Sequence, residues 1–168
     1  MASTLTVDNI VGATTAANVK IPGHVIQVVA FRRPGLLSSQ SSLLEVTATS
    51  FADVMSKAIV TKSANSKIYV AINCVGYAGS GQGNARISTK VLRDSTQIDA
   101  DMYGVYVDIQ QMSNISVHVL DEPNASAGTT LTYKFQAANQ IGANTFKIGY
   151  GDAVGGSSAS ITLMEIAQ

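Results

Sequence analysis

The side chains that most often carry catalysis are scarce in this sequence. Only two histidines occur, His24 and His118, and neither is accompanied by a serine or cysteine motif of nucleophilic catalysis. The nucleophile elbow Gly-x-Ser-x-Gly, the zinc helix His-Glu-x-x-His and the phosphate loop ending in Gly-Lys-Ser/Thr are all absent. His118 falls on the polar face of a predicted strand, which indicates a surface or interface histidine. We therefore expect a protein that is not an enzyme and binds no cofactor.

Two further patterns raise the question of ligand binding. The stretch Gly79–Asn84 lacks the third glycine of Gly-x-Gly-x-x-Gly, and no helical pattern follows it. It therefore predicts a loop tip, with Gly81, Gln82 and Asn84 as candidate contact residues. The acidic side chains that could supply oxygens to calcium are Asp99, Asp101, Asp108, Asp121 and Glu122. Their spacing does not match the 12-residue calcium loop, so we expect no metal site.

Composition bounds the class of protein. The 168 residues suit one domain, and only 13% of them are charged, against roughly 25% in an ordinary globular protein. Such a weakly charged surface favours an assembly that buries part of it against copies of itself. Eleven basic residues balance eleven acidic ones, which argues against nucleic acid as a partner. The single cysteine, Cys74, excludes an internal disulfide and lies in an apolar run typical of a packed thiol.

The N-terminus lacks the basic and apolar regions of a secretory signal, and no apolar run approaches the roughly 18 residues needed to span a bilayer. We expect synthesis in a cytoplasm and no membrane insertion.

The pattern of apolar residues has period two along most of the chain, as in half-buried strands. Ile68, Val70, Ile72 and Cys74 share one face of the clearest example. The predicted strands are 25–31, 44–49, 68–74, 103–109, 115–120, 130–137, 145–150 and 161–166. Glycine-rich and polar turns separate them, so the pattern predicts an all-β antiparallel sandwich or barrel.

Two strands are apolar on both faces and need cover on both sides. They are the first and last strong strands, 25–31 and 161–166, which a jelly roll can place side by side. If one face of the pair enters the core, identical chains would most simply cover the other. The residues proposed for this subunit interface are Ile26, Val28, Met164 and Ile166. The alternative is a strand covered by the protein's own loops.

Residues 1–22 differ from the rest and predict an N-terminal arm ahead of a β domain at 23–168. A short apolar stretch is followed by the small-residue linker Gly12–Asn18 and then by Pro22 and Gly23. The side chains proposed to anchor this arm are Leu5, Val7, Ile10 and Val11. A frayed terminus is the alternative.

Several short motifs resemble the C-terminal modules of structural proteins from marine and cyanobacterial tailed phages. The motifs are Gly23–Val29, Ser63–Tyr69, Asp121–Pro123, Thr132–Gln136 and Ser160–Ile166, together with the opening Ser3–Ile10. Those modules are similar to trimeric jelly rolls of the C1q and tumour-necrosis-factor type. The resemblance implies a homotrimeric jelly roll on the exterior of a virion and brings no catalytic residues with it.

On this resemblance we expect a phage structural protein, either a short fibre or a capsid decoration or cement protein, joined to other virion proteins by its arm. One rival is the receptor-binding tip of a tail fibre, whose loops would contact a host cell-surface glycan. A glycan depolymerase is the enzymatic rival, and it would need two carboxylates facing each other across a cleft.

Overall fold

The computed structural model describes residues 21–33, 44–46, 49–78, 85–99, 102–107, 112–140, 146–148 and 159–168. Within these ranges the chain forms eleven strands and no helix. The strands are β1 (Val25–Arg33), β2 (Leu44–Val46), β3 (Ala52–Val60), β4 (Lys67–Ala78), β5 (Ala85–Arg93), β6 (Thr96–Gln97), β7 (Met102–Val107), β8 (Met112–Asp121), β9 (Thr130–Asn139), β10 (Phe146–Ile148) and β11 (Ala159–Ile166). The all-β prediction is confirmed.

Sheet I is built around the long strand β4. Strand β8 pairs with one edge of β4 over Ile68–Tyr77, so β11 and β10 share the opposite edge, one after the other. Strand β1 then pairs with β11, and β2 pairs with β10. The sheet therefore runs β1, β11, β4, β8 across most of its width, with every described pair antiparallel.

Sheet II runs β3, β9, β5, β7, with the short β6 folded back on β5. Successive strands pass from one sheet to the other at β2 to β3, β3 to β4, β4 to β5, β7 to β8, β8 to β9 and β9 to β10. The first strand lies beside the last, because β1 pairs with β11 from Val25 to Arg33. This order is that of an antiparallel jelly-roll sandwich, and it confirms the expected adjacency of the two end strands.

The core lies between the sheets and follows the predicted alternation. Ile68, Val70, Ile72 and Cys74 of β4 are all buried, and they meet Tyr133 and Phe135 of β9 within one apolar cluster. Burial raises the pKa of the Cys74 thiol to about 12, so the thiol stays protonated at neutral pH.

Strands β3 and β5 were not predicted from the sequence. A β-bulge between Asp53 and Met55 interrupts the alternation of β3, so that Val54 and Met55 are both buried. In β5 the inward positions include Thr89 beside Ile87 and Val91, and a buried threonine weakens the contrast between the two faces. Period-two reasoning fails in both strands because a bulge or a buried polar residue removes its signal.

A buried ion pair joins the two sheets at one end of the sandwich. Arg93 of β5 donates through Nη1 to both carboxylate oxygens of Asp121 on β8, at 2.7 and 2.8 Å. Tyr133 of β9 donates its hydroxyl to the same carboxylate at 2.7 Å. Burial, together with this bond, raises the pKa of Tyr133. The carboxylate of Asp121, which the sequence offered as a possible calcium ligand, thus binds Arg93 and Tyr133 and links the two sheets.

Gly76 of β4 gives a first test of this packing. A Cβ at this position would overlap the ring of Phe146, because β10 pairs alongside β4 there and the ring lies against the Gly76 backbone. We expect Gly76→Ala to lower the free energy of unfolding by about 2 kcal/mol, since overpacking a full core costs about 1–3 kcal/mol. Denaturant unfolding of Gly76→Ala, Phe146→Leu and the double variant would measure the effect. Losses that simply add would contradict this contact, because relief of the clash requires the double variant to lose less than the sum.

Candidate interface on the outer face of sheet I

The outer face of sheet I is defined by the side chains that alternate with the buried ones and point away from the core. The strand register arranges them in rows across the sheet. From the end that carries the chain termini, the rows are Lys67, Ile166 and Val25; Leu120, Tyr69, Met164 and Val28; His118, Ala71, Thr162 and Ala30; and Ser116, Asn73, Ser160 and Arg32. These four rows form the candidate interface.

The second row is an apolar band across all four strands. Val28 lies opposite Met164, Met164 opposite Tyr69, and Tyr69 opposite Leu120. The outermost members are 55% exposed at Val28 and 52% exposed at Leu120. The structure therefore brings two of the four proposed interface residues into direct register and places Ile166 in the neighbouring row, opposite Val25. Ile26 lies in a β-bulge between Val25 and Gln27 and is half-buried.

The third row is made of small side chains around His118, so another chain could approach the sheet closely there. The second, third and fourth rows contain no carboxylate. The outer face of sheet II differs: Asp53 accepts a hydrogen bond from Gln136 at 2.6 Å and lies 3.8 Å from Lys134, and Lys90 lies 4.1 Å from the centre of the Phe51 ring. Charged groups thus lie at the centre of the sheet II face, whereas the second and third rows of the sheet I face carry no Lys, Arg, Asp or Glu.

A chain of hydrogen bonds runs over the β4 and β8 half of the interface. The hydroxyl of Tyr69 lies 2.9 Å from Nδ1 of His118, and Nε2 of the same ring lies 3.0 Å from Oγ of Ser116. Ser116 in turn donates to Oδ1 of Asn73 at 2.8 Å. The Tyr69 and His118 rings are stacked, 15° from parallel. The sequence placed His118 on the polar side of its strand, and the structure agrees, but the linkage to Tyr69 was not foreseen.

Glu165 is a buried carboxylate that sequence reasoning missed. It lies on the inner side of β11 between Leu163 and Ala167 and is fully buried. Its oxygens accept hydrogen bonds from the backbone N–H of Lys62 at 2.8 and 2.9 Å and of Ser63 at 3.0 Å, and from the Gln27 side chain. It thereby ties the β3–β4 connection to β11 and β1. The sequence pattern that could have identified it is the two-residue alternation, because Glu165 falls on the same face of the strand as the buried Ile161 and Leu163.

Burial alone would raise the pKa of the Glu165 carboxyl. The hydrogen bonds from Lys62, Ser63, Ser66 and Gln27 outweigh burial and hold the pKa below its ordinary range. Glu165 is therefore an ionised structural clamp.

Both ends of the described chain lie at one end of the sandwich, which we call the base. Gly23 donates to the carbonyl of Ala167 at 2.8 Å, and Ala167 donates to the carbonyl of His24 at 2.9 Å. The connections that join strand ends in the opposite half span 34–43, 79–84, 108–111, 141–145 and 149–158. The proposed anchoring residues Leu5, Val7, Ile10 and Val11, and the proposed loop contacts Gly81, Gln82 and Asn84, lie outside the described residues.

A groove of about 350 Å³ opens between the edge strands β1 and β3, where Phe31 faces Val54 and Met55. Asp53 is the one ionisable residue of its described lining.

Within the described ranges, no group of three or more His, Cys, Asp or Glu side chains is placed to hold a metal ion. The described part of the chain also contains no helix long and apolar enough to cross a membrane.

Comparison with known proteins gives structural similarity only. No family model matches the sequence, and no curated protein matches it. A chain of infectious bursal disease virus, Gx strain, aligns with a TM-score of 0.45 and 10% identity over 84% of this chain and 38% of the viral chain. The CBM22-1 xylan-binding domain of Paenibacillus barcinonensis Xyn10C aligns with a TM-score of 0.40 and 12% identity over 87% and 90% of the two chains. The sugar-binding C-terminal domain of EclA gives 0.38 and 10% over 84% and 86%.

This chain spans 37–39% of the length of three of the viral chains it matches. Because these TM-scores are below 0.5, the jelly-roll assignment rests on the strand order of the chain itself. Neither particle assembly nor sugar binding follows from the similarity.

Proposed function

We propose that this protein is a structural component of a phage virion that works as a homotrimer through the outer face of sheet I. The observation that carries the proposal is the apolar band from Val28 to Leu120, which crosses a full sheet face without a carboxylate in its own row or in the next two rows. In the separate chain Val28 and Leu120 would each leave half of a large apolar side chain in water.

A second copy of the chain is the occupant that the observations favour. The second and third rows of this face carry no Lys, Arg, Asp or Glu, as the centre of a self-contact requires. The face also divides into an apolar half on β1 and β11 and a hydrogen-bonding half on β4 and β8, so that one half can pack against the other half of a neighbour. Such a head-to-tail contact forms a closed ring of three when neighbours are related by a threefold rotation. Light scattering is expected to give three times the 17.5 kDa chain mass, and a monomer mass would contradict the proposal.

The protein acts by binding, with no catalytic step, on the exterior of the particle. Residues 21–24 lie at the base, and the strand ends that five of the connections join lie in the opposite half. An arm anchored in other virion proteins would therefore direct the base towards the particle and the far half outwards. This arrangement suits a short fibre or a capsid decoration or cement protein that stabilises the particle surface.

Deleting residues 1–20 tests the arm. We expect the truncated chain to keep its trimer mass and thermal midpoint, because Gly23 and His24 are held to Ala167 within the body. Recovery with purified virions should fall at least tenfold, since the arm supplies the anchoring contact and three linked arms reinforce one another. Normal recovery of the truncated trimer with virions would show that the body docks by itself.

A receptor-binding tip is the second candidate, and the strand ends that lie together in the half opposite the base favour it. Exchanging residues 79–84 for a sequence of equal length separates the two functions. A loss of adsorption to host cells with unchanged particle stability supports the tip, whereas a loss of particle stability supports the decoration protein.

A further inference from the structure

We propose that His118 makes the self-association of this protein sensitive to pH, so that the trimer is held at neutral pH and released in mild acid. The inference rests on the proposed function, because it concerns the face that the copies are proposed to share. The observations that carry it are the position of His118 in the row of small side chains and the bonding of both its ring nitrogens.

The hydrogen-bond chain defines which nitrogen carries the proton. Ser116 has one hydroxyl hydrogen, and it is donated to Asn73. The 3.0 Å contact between Ser116 and His118 therefore requires Nε2–H of the imidazole as the donor. A neutral ring then has an unprotonated Nδ1, which accepts the Tyr69 hydroxyl at 2.9 Å. Every donor in this chain of hydrogen bonds is matched by an acceptor only when His118 is neutral.

Protonation of His118 breaks this match. Nδ1 becomes a donor to the Tyr69 oxygen, and the Tyr69 hydroxyl hydrogen loses its acceptor. On an open face water can replace that acceptor. Under a second copy water is excluded, so the freed hydroxyl and the new positive charge would both be left without a partner.

The surroundings of His118 offer no compensating charge. Tyr69 is the ionisable group that faces it from β4, and the described outward positions of β8 between Met112 and Leu120 and of β11 carry no ionisable side chain apart from His118 itself. The charged groups of this face lie in other rows: Lys67 pairs with Glu122 at 2.6 Å near the base, and Arg32 lies on β1. A protonated His118 would therefore be buried without a carboxylate beside it, in three copies at once.

The direction of the effect follows from proton linkage. A second copy that excludes water from this face penalises the charged imidazolium, whereas on the open face water can solvate it, so falling pH favours separate chains. Histidine is the side chain whose ordinary pKa lies between pH 5 and 8, and the only other histidine is His24, exposed at the base. The thiol of Cys74, whose pKa is raised to about 12, does not titrate in this window.

The two histidines provide a matched pair of variants in the full chain. Sedimentation over a concentration series at pH 8 and pH 5 would give the concentration at which half the protein is trimeric. We expect this concentration to rise at least tenfold at pH 5 in the wild type and in His24→Gln, because three protons are coupled to dissociation. In His118→Gln it should change less than about twofold, since an amide offers a donor and an acceptor but does not titrate.

An equal shift in His118→Gln, or no shift in a wild-type trimer, would overturn this inference while leaving the trimer in place. A wild type that is monomeric at pH 8 would instead refute the proposed function. If His118→Gln does not assemble, the NMR titration of the His118 ring decides. The midpoint of this titration should lie at a lower pH in the wild-type trimer than in monomeric Met164→Asp. Equal midpoints would refute the inference.

Discussion

Replacing Met164 with aspartate is expected to convert the trimer into separate, folded chains. Met164 lies in the middle of the apolar band, with Val28 on one side and Tyr69 on the other. Burying an unpaired carboxylate costs several kcal/mol even after local relaxation, and a ring of three copies repeats that cost in each contact. In the separate chain the side chain of Met164 is only half-buried, so the fold itself should survive.

Thr130→Asp is the matched control, because Thr130 is an exposed position of β9 and faces solvent on sheet II. There the same change should cost about 1 kcal/mol or less, mainly through lost strand propensity. The mass of each variant by light scattering and its circular dichroism spectrum, in one buffer, make the comparison. If Met164→Asp remains fully trimeric with the wild-type thermal midpoint, the outer face of sheet I is not a subunit contact.

Replacing Glu165 with glutamine is expected to lower the free energy of unfolding by about 3 kcal/mol. The change keeps the shape of the side chain but replaces one carboxylate oxygen with an NH₂ group. Either the Lys62 and Ser63 N–H groups lose their acceptor at Oε1, or the Lys62 N–H and the Gln27 side chain lose theirs at Oε2. Hydrogen bonds to a charged group contribute about 1.5–3 kcal/mol each, and an unmatched buried donor adds its own desolvation penalty. For a chain of this size the thermal midpoint should fall by about 6–12 °C.

Glu122→Gln is the control for the same chemical change at a surface. Glu122 is 61% exposed and pairs with Lys67 at 2.6 Å, and such surface pairs contribute about 0–1 kcal/mol. Its midpoint should therefore stay within a few degrees of the wild type. Equal losses in the two variants would show that the hydrogen bonds of Glu165 are not what holds the β3–β4 connection.

The stability supplied by Glu165 also has a defined pH dependence. Because the folded-state pKa of this carboxyl is lowered, its contribution is complete above the ordinary glutamate value and is lost as the pH falls through the folded-state value. Thermal midpoints measured from pH 7 down to pH 3 should consequently fall more steeply in the wild type than in Glu165→Gln. Parallel curves would assign the acid sensitivity to other carboxylates.

The sequence by itself determined the strand content and much of the core. The alternation in 68–74 and 130–137 specifies which side chains face inward, because successive side chains of a strand point to opposite sides, and β4 and β9 bury those residues. The strand pattern also indicated a sandwich of the jelly-roll kind, which can place the first and last strands, 25–31 and 161–166, side by side, and they do lie together. The same signal was lost in β3, because a bulge puts two neighbouring residues, Val54 and Met55, on the buried side.

Only the tertiary structure decided which side chains meet. Val28, Met164, Tyr69 and Leu120 form one row because strands far apart in the chain pair in a particular register, and a shift of one residue would turn each side chain to the other face. His118 and Tyr69 are 49 residues apart, and Glu165 is 103 residues from Lys62. Alternation assigns a residue to a face, but it cannot name the partner across the strand, because that partner is set by topology. The clamp and the hydrogen-bond chain therefore follow from the fold of the whole chain.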